Sequence, residues 1–189
     1  MAYADLNQLK ADYLPDTNSA PELTALGRIL DNVSAFVDTY CRRRPGYFNP
    51  SPADPTTRRV RGEGQHYLRL PKHIPGSISS IALNGQTLDP ASYYESDKNG
   101  WIYAEDTDSG FSSDLQFYED RIYLVTARWG YAATPLDIGE AVRQTVVRIW
   151  EAQRGVLGDV TPDGFVIERV MPPFAKEVLD NYKRREFEI

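Results

Sequence analysis

The sequence is poor in cysteine and has no long apolar run. Cys41 is the only cysteine among 189 residues, which excludes an intrachain disulfide and favours a reducing compartment. A membrane-spanning helix needs about 18 or more consecutive apolar residues, and no such run is present. The N-terminal sequence MAYADLNQLK lacks the basic start of a secretory signal. We therefore expect a folded chain that neither spans a membrane nor is exported by that route.

Residues that commonly perform catalysis or hold metal ions are also scarce. The two histidines, His66 and His73, have no cysteine near them in sequence, whereas structural zinc requires four nitrogen or sulfur ligands. No serine lies in a Gly-x-Ser-x-Gly turn, and Gly62-Glu63-Gly64 lacks the lysine of a phosphate-binding loop. We predict no catalytic residues, no metal and no cofactor.

The charge is mildly acidic, with 27 acidic and 21 basic side chains and a formal net charge of −6. This balance argues against wholesale wrapping of nucleic acid, although local basic patches remain. Two arginine clusters form the possible contact patch: Arg42, Arg43, Arg44, Arg58, Arg59 and Arg61. Helix capping and solubility explain them as well as contact with an acidic protein or a phosphate backbone does.

Helical periodicity occurs in four segments, which we predict at residues 4–14, 21–41, 136–153 and 173–185. Ser19 and Glu22 have the spacing of a capping box before the second helix. The third helix begins after Thr134-Pro135, a pair suited to a cap and the first helical position. The second and third helices each carry a broad apolar stripe, so we expect them to pack on each other.

Strand patterns lie between the second and third helices, in a β-rich insert at about 58–129. Residues 121–129 alternate, with Ile122 and Leu124 on one face and Tyr123 and Val125 on the other. Asn84-Gly85 predicts a tight hairpin, and Tyr93-Tyr94 with Trp101-Ile102-Tyr103 predicts another. A further short strand is predicted at 165–170. The fold class is therefore α+β, a small helical bundle with an inserted antiparallel sheet, forming a single domain over 1–189.

Several motifs, in their order along the chain, resemble the head-tail connector (adaptor, or head completion) proteins of tailed bacteriophages. They are Leu6-Asn7-Gln8-Leu9-Lys10, the helix ending Val37-Asp38-Thr39-Tyr40-Cys41-Arg42-Arg43, Leu70-Pro71 with Ile78-Ser79-Ser80-Ile81, and Trp129-Gly130-Tyr131 with Pro135-Leu136-Asp137-Ile138. The terminal run Met171-Pro172-Pro173-Phe174 to Tyr182-Lys183-Arg184 is similar to the family's terminal segment. The loops at 47–57 and 106–114 depart from the family pattern.

The resemblance implies a structural virion protein at the head-tail junction rather than an enzyme. Its partners would be about a dozen copies of itself in a ring, the portal protein, and the next head-completion, stopper or tail protein. Genomic DNA would pass through the lumen without sequence-specific contact, and no membrane would be involved. The portal-binding segment would comprise Pro173, Phe174, Lys176, Val178, Leu179, Tyr182, Lys183, Arg184 and Arg185.

Two other classes of function compete with this interpretation. A DNA-binding module would use the arginine clusters, with binding that weakens steeply as salt rises. An enzyme would assemble a site from scattered acidic and tyrosine side chains.

Overall fold

The structure is a computed structural model that describes residues 2–97, 100–105, 117–154, 167 and 169–184. It is an α+β fold with helices and two antiparallel sheets, which confirms the predicted class. The chain divides into two compact units. The helical unit comprises residues 1–49 and 133–189, and the sheet unit comprises residues 50–132.

The helical unit begins with α1 (Leu6–Tyr13) and α2 (Ala20–Tyr40). Asp5 caps α1 by accepting a hydrogen bond from the backbone N–H of Gln8. Ser19 and Glu22 form the predicted capping box at the start of α2, which satisfies backbone donors that the first turn leaves free. The apolar stripe of α2 is buried, including Leu26, Ile29 and Val33.

The second part of the helical unit contains α3 (Leu136–Arg154) and α4 (Pro173–Tyr182). α3 packs against both α2 and α4. The hydroxyl of Tyr182 at the end of α4 bonds to Asp137 in the first turn of α3, so these two helices run antiparallel. The apolar stripe of α3 is buried as predicted and includes Ile138, Val142 and Val146.

The first sheet of the sheet unit has four strands in the order β1 (Thr56–Arg61), β7 (Ile122–Ala127), β3 (Ser80–Leu83) and β4 (Gln86–Thr87). All neighbours are antiparallel. β3 and β4 form the predicted hairpin, in which Asn84 and Gly85 have φ of 52° and 83°. These positive angles are the ones that a tight hairpin turn requires.

The second sheet has three strands in the order β2 (Tyr67–Leu68), β6 (Ile102–Ala104) and β5 (Tyr93–Glu95). A short 3₁₀ helix, Pro90–Ser92, precedes β5. The two sheets share one apolar core: Leu68 and Ile102 from the three-stranded sheet are buried with Ile81, Tyr123 and Val125 from the four-stranded sheet. The sheet unit therefore has two layers, each with an inner face on this core and an outer face pointing away from it.

Two predicted segments lie partly or wholly outside the described residues. In the segment predicted as a strand at 165–170, the described residues Ile167, Arg169 and Val170 are helical, so the prediction is wrong for them. The other residues of that segment lie outside the described ones. The loop predicted at 106–114 lies wholly outside them. α3 begins at Leu136, and Pro135 contributes the carbonyl that accepts from the N–H of Gly139 at 3.0 Å.

Candidate interaction surfaces

The terminal helix α4 is anchored by its apolar face. Ala175 and Leu179 are fully buried in the helical unit, and the preceding Met171 and Pro172 are buried too. Burial of a side chain such as leucine stabilises the folded state by about 1.5–3 kcal/mol relative to exposure. α4 is therefore part of the core of the helical unit.

Polar contacts fasten the end of α4 to α2 and α3. Tyr182 donates to both carboxylate oxygens of Asp137, at 3.0 and 2.9 Å. Burial, together with this bond, raises the pKa of Tyr182 to about 12. Tyr40 at the end of α2 donates to Asp180 at 2.8 Å, and this bond lowers the pKa of the Asp180 carboxyl. Lys183 lies over the Tyr40 ring, 4.2 Å from its centroid.

The residues after α2 complete this attachment, which we call the terminal clasp (residues 40–43 with residues 179–184). The N–H of Arg184 donates to the carbonyl of Cys41 at 2.9 Å. The thiol of Cys41 donates to the carbonyl of Leu179 at 3.5 Å, and burial raises its pKa to about 12. Arg43 donates from Nε to the carbonyl of Tyr182 at 3.3 Å. Cys41 is thus a small buried side chain with a weak thiol donor.

The clasp divides the predicted portal-binding residues into two groups. Leu179 is buried, and Val178, Tyr182 and Lys183 are partly buried against the rest of the helical unit. The exposed members are Pro173, Phe174, Lys176 and Arg184, whereas Arg185 lies outside the described residues. Phe174 is a large apolar side chain with 45% of its surface exposed, so the exposed apolar surface of these residues is at the start of α4.

The N-terminus is held by a buried hydrogen-bond network. The hydroxyl of Tyr3 donates to Oδ1 of Asp38 at 2.5 Å, and Oδ2 of Asp38 accepts from the N–H of Gly46 at 2.8 Å. The Tyr3 hydroxyl also accepts from the N–H of Phe48 at 3.4 Å. Burial and the bond to Asp38 raise the pKa of Tyr3. This carboxylate therefore serves to join the N-terminus, α2 and the loop that follows α2.

The arginines of β1 do not form one patch. Arg59 and Arg61 pair with Leu124 and Ile122 of β7 and lie on the outer face of the four-stranded sheet. Arg58 falls on the other face, because side chains alternate along a strand, and its guanidinium lies over the Trp129 ring, 4.9 Å from the centroid. Arg61 forms an exposed ion pair with Asp120. The alternation of side chains along a strand could have predicted from the sequence that Arg58 lies on a different face from Arg59 and Arg61.

The other arginine cluster follows α2 in the helical unit. Arg43 bonds the carbonyl of Tyr182 and also lies over the Tyr47 ring, 4.8 Å from its centroid. Arg42 has a φ of 55°, and both Arg42 and Arg44 are exposed. Arg43 therefore helps to hold the terminal clasp, and these contacts do not favour a continuous phosphate-binding patch.

His73 and Glu95 form a partly buried pair in the sheet unit. Nδ1 of His73 is 2.9 Å from the carbonyl of Pro71, and Nε2 is 3.0 Å from Oε1 of Glu95. The other oxygen of Glu95 accepts from the N–H of Gly76 at 2.9 Å. The pair ties the loop at 71–76 to β5. The two partners are 22 positions apart in the sequence, and no local sequence pattern indicated that they would pair.

An aromatic stack covers the outer face of the three-stranded sheet. The Tyr67 and Trp101 rings are stacked with centroids 4.9 Å apart, and Tyr67 and Tyr103 are 5.7 Å apart. Tyr94 stacks on Tyr103 at 5.7 Å with an interplanar angle of 18°. The guanidinium of Arg69 lies over Trp101, 4.8 Å from its centroid. We call Tyr67, Tyr94, Trp101, Tyr103 and Glu105 the tyrosine face.

The outer face of the four-stranded sheet has a different character. Ile122 and Leu124 at its centre are 41% and 39% exposed, and Arg59 and Arg61 flank them on β1. Ala82 of β3 lies opposite Leu124. We call Arg59, Arg61, Ala82, Ile122 and Leu124 the aliphatic face. Arg59 and Arg61 of this face belong to the predicted contact patch, and Ile122 and Leu124 were correctly placed on a face of their own. The tyrosine face was not predicted as a contact site.

Among the described residues, no group of three histidine, cysteine, aspartate or glutamate side chains is arranged to hold a metal ion. None of the described helices combines the length and apolar character needed to cross a bilayer.

Two solved structures resemble this chain over nearly its whole length. One is described as the neck of an empty GTA particle computed with C6 symmetry; it is 13% identical, with a TM-score of 0.49, and the match covers 99% of this chain and 93% of that one. The other, the neck of a native GTA particle computed with C12 symmetry, is 12% identical with a TM-score of 0.44, over 98% and 94% of the two chains. Likeness at this level is too remote to transfer a function. Neither a family model nor a curated protein matches the chain.

Proposed function

We propose that this chain is a structural head-tail connector (adaptor) protein, which forms a ring beneath the portal of a tailed bacteriophage and keeps the DNA channel continuous. The ordered motifs from Leu6 to Arg184 support the family assignment. The structural observation that supports this role is the exposure of large apolar side chains at separate places on both units. Leu136 and Phe174 are exposed in the helical unit, and Tyr94, Ile122 and Leu124 in the sheet unit.

Several separate apolar contacts suit a protein with several partners. Exposed apolar side chains gain free energy when a partner covers them, and a connector contacts sister copies, the portal and the next protein of the tail. Three aspartates of the helical unit also support a structural role. Asp38, Asp137 and Asp180 bond to tyrosines of the same unit and so contribute to its stability.

The portal contact is assigned to the exposed start of α4. Phe174 offers an apolar anchor, Lys176 a neighbouring cation, and Arg184 a cation at the far end of the helix. Leu179 and Tyr182 act indirectly, because their contacts hold the helix in position. Deleting residues 172–189 would remove part of the core, so point substitutions at exposed positions are the sharper test.

The test is a pull-down with the portal protein of the same virus. Phe174→Ser and Lys176→Glu should each weaken portal binding while the far-ultraviolet circular dichroism remains that of the wild type. Tyr118→Ser is the matched control, because Tyr118 is an aromatic residue of the sheet unit with 52% exposure. Unchanged binding by both α4 variants, or equal loss in the control, would contradict the assignment.

A further inference from the structure

The two outer faces of the sheet unit lie on opposite sides of its core. Leu68 and Ile102 of the three-stranded sheet point inward, so Tyr67 and Tyr103, their neighbours in the strands, point outward. Tyr123 and Val125 of β7 also point inward, which leaves Ile122 and Leu124 on the other outer surface. The tyrosine face and the aliphatic face therefore point in opposite directions.

The tyrosine face is aromatic and carries an acid. Tyr67, Tyr103 and Tyr94 form one row across the three strands. Glu105 is exposed and follows Tyr103 by two residues, so both lie on the same side of the sheet; its N–H bonds to the carbonyl of Ser92 at 2.9 Å, which continues the β5–β6 pairing. Tyr94 is 49% exposed at the end of the stack. This surface thus presents tyrosine rings with a carboxylate at the Glu105 end of β6, and the guanidinium of Arg69 lies over Trp101 at the other end.

The aliphatic face is complementary to it. Ile122 and Leu124 supply apolar area, and Arg59 supplies a cation beside Leu124. Asp120 neutralises Arg61, so Arg59 is the charge that the face offers to a partner. A guanidinium over a tyrosine ring gains about 0.5–1 kcal/mol at an exposed site, and it can also pair with a carboxylate.

We propose that the tyrosine face of one copy binds the aliphatic face of the next copy. Arg59 of one copy meets Tyr94 and Glu105 of its neighbour, and Leu124 packs on the ring edges. The inference rests on the proposed ring. Two different surfaces that meet head to tail generate a closed ring or an open filament. In a ring of about twelve copies, each is rotated by about 30° from the next, which requires the two contact surfaces to lie on nearly opposite sides.

Nucleic acid is a poorer match for the tyrosine face. Bases bind aromatic platforms by stacking on exposed ring faces, whereas here Tyr67 stacks on Trp101 and Tyr103 stacks on Tyr94. The carboxylate of Glu105 repels phosphate as well. Binding of single-stranded DNA, with no self-association, is thus an outcome that would overturn the proposal.

A charge exchange tests the pairing directly. Sedimentation equilibrium of the full chain at low ionic strength, up to its solubility limit, should show self-association of the wild type. Arg59→Glu and Glu105→Arg should each weaken it at least about tenfold, the effect of losing about 1.4 kcal/mol, and the two changes in one chain should restore it. A wild-type chain that stays monomeric, or a double variant as weak as the single ones, overturns the proposal.

A mixing experiment tests the head-to-tail geometry. Tyr94→Ser disables one face and Leu124→Ser disables the other, so neither variant should associate by itself. Their mixture should form heterodimers and nothing larger, because each pair retains one intact combination of faces. Assembly of either variant alone, or no dimer in the mixture, contradicts the proposal. Circular dichroism of each variant verifies its fold.

Failure of this interface and failure of the connector role are distinguishable. If all variants form rings like the wild type, the interface lies elsewhere and the connector role stands. If the wild type never binds portal, the connector role fails, whereas the association measurements still decide the pairing of the two faces.

Discussion

The two units of this chain are stabilised in different ways. In the helical unit, hydrogen bonds between residues distant in sequence join the chain ends to α2 and α3, as Tyr3 does with Asp38 and Tyr182 with Asp137. In the sheet unit, paired strands enclose one apolar core, and stacked rings cover an outer surface. The helical unit therefore depends on its terminal segments, whereas the sheet unit is built from one continuous stretch of chain.

The largest expected effect is the loss of the buried contact that fixes α4. Leu179→Ala removes a side chain that is 1% exposed and should lower the free energy of unfolding by about 2–5 kcal/mol. Chemical denaturation followed by circular dichroism measures the change. The labelling rate of the Cys41 thiol should rise too, because Leu179 lies beside it.

Asn181→Ala is the matched control for that substitution, because Asn181 is exposed on the same helix. Equal stability of the Leu179→Ala variant and the wild type would show that α4 is not part of the core.

The next effect concerns the N-terminus. Tyr3→Phe keeps the ring but removes the donor to Asp38, which leaves a buried carboxylate oxygen without that partner. The expected cost is roughly 1–3 kcal/mol, measured by the same denaturation. Tyr13→Phe removes an exposed bond of the same unit, from the Tyr13 hydroxyl to Glu140, and a comparable loss there would mean that burial gives the Tyr3–Asp38 bond no special weight.

A third prediction concerns alkaline pH. The pKa of Tyr182 is raised from 10.0 to about 12 by burial and by its bond to Asp137, so the folded state favours the neutral phenol. This contribution to stability is fully present below pH 10.0 and is lost as the pH rises towards about 12. Tyr182→Phe should flatten that part of the stability profile, and an unchanged slope would contradict the assignment. The effect is modest because the side chain is only partly buried.

The smallest effect is expected in the sheet unit. Tyr94→Ala removes the last ring of the stack, and an exposed cross-strand pair contributes only roughly 0.2–1 kcal/mol. Thermal unfolding should therefore change little. A loss of stability as large as that of Leu179→Ala would show that the stack is essential to the sheet unit. The sheet unit would then depend on peripheral contacts as much as the helical unit does.

Local sequence patterns predicted much of the fold. The alternation in β7 separated Tyr123 and Val125 from Ile122 and Leu124 correctly, since period-two burial is a property of the strand itself. Asn84-Gly85 predicted the β3–β4 hairpin because few residues adopt its positive φ angles. The helical conformation of Ile167, Arg169 and Val170 was missed, since a short apolar run fits either type of element.

Local sequence patterns could not predict contacts between residues that are far apart in the sequence. Nothing local to His73 indicates Glu95, and nothing local to Tyr182 indicates Asp137, because these pairs form only once the chain has folded. The apolar periodicity of α4 did show an apolar face, but periodicity does not reveal whether that face is covered by its own chain. The resemblance placed Leu179 in the portal-binding segment, and the structure shows its side chain buried inside the helical unit.

The ends of the sheet unit meet each other. Pro50 and Tyr131 form a β-bridge, and the N–H of Ser51 bonds to the carbonyl of Tyr131 at 2.7 Å. Segments whose ends are adjacent can be exchanged or removed at little entropic cost, because a short linker can close the gap they leave. The adjacency of these ends would allow residues 50–132 to be exchanged as one block while the sequence on either side stays unchanged.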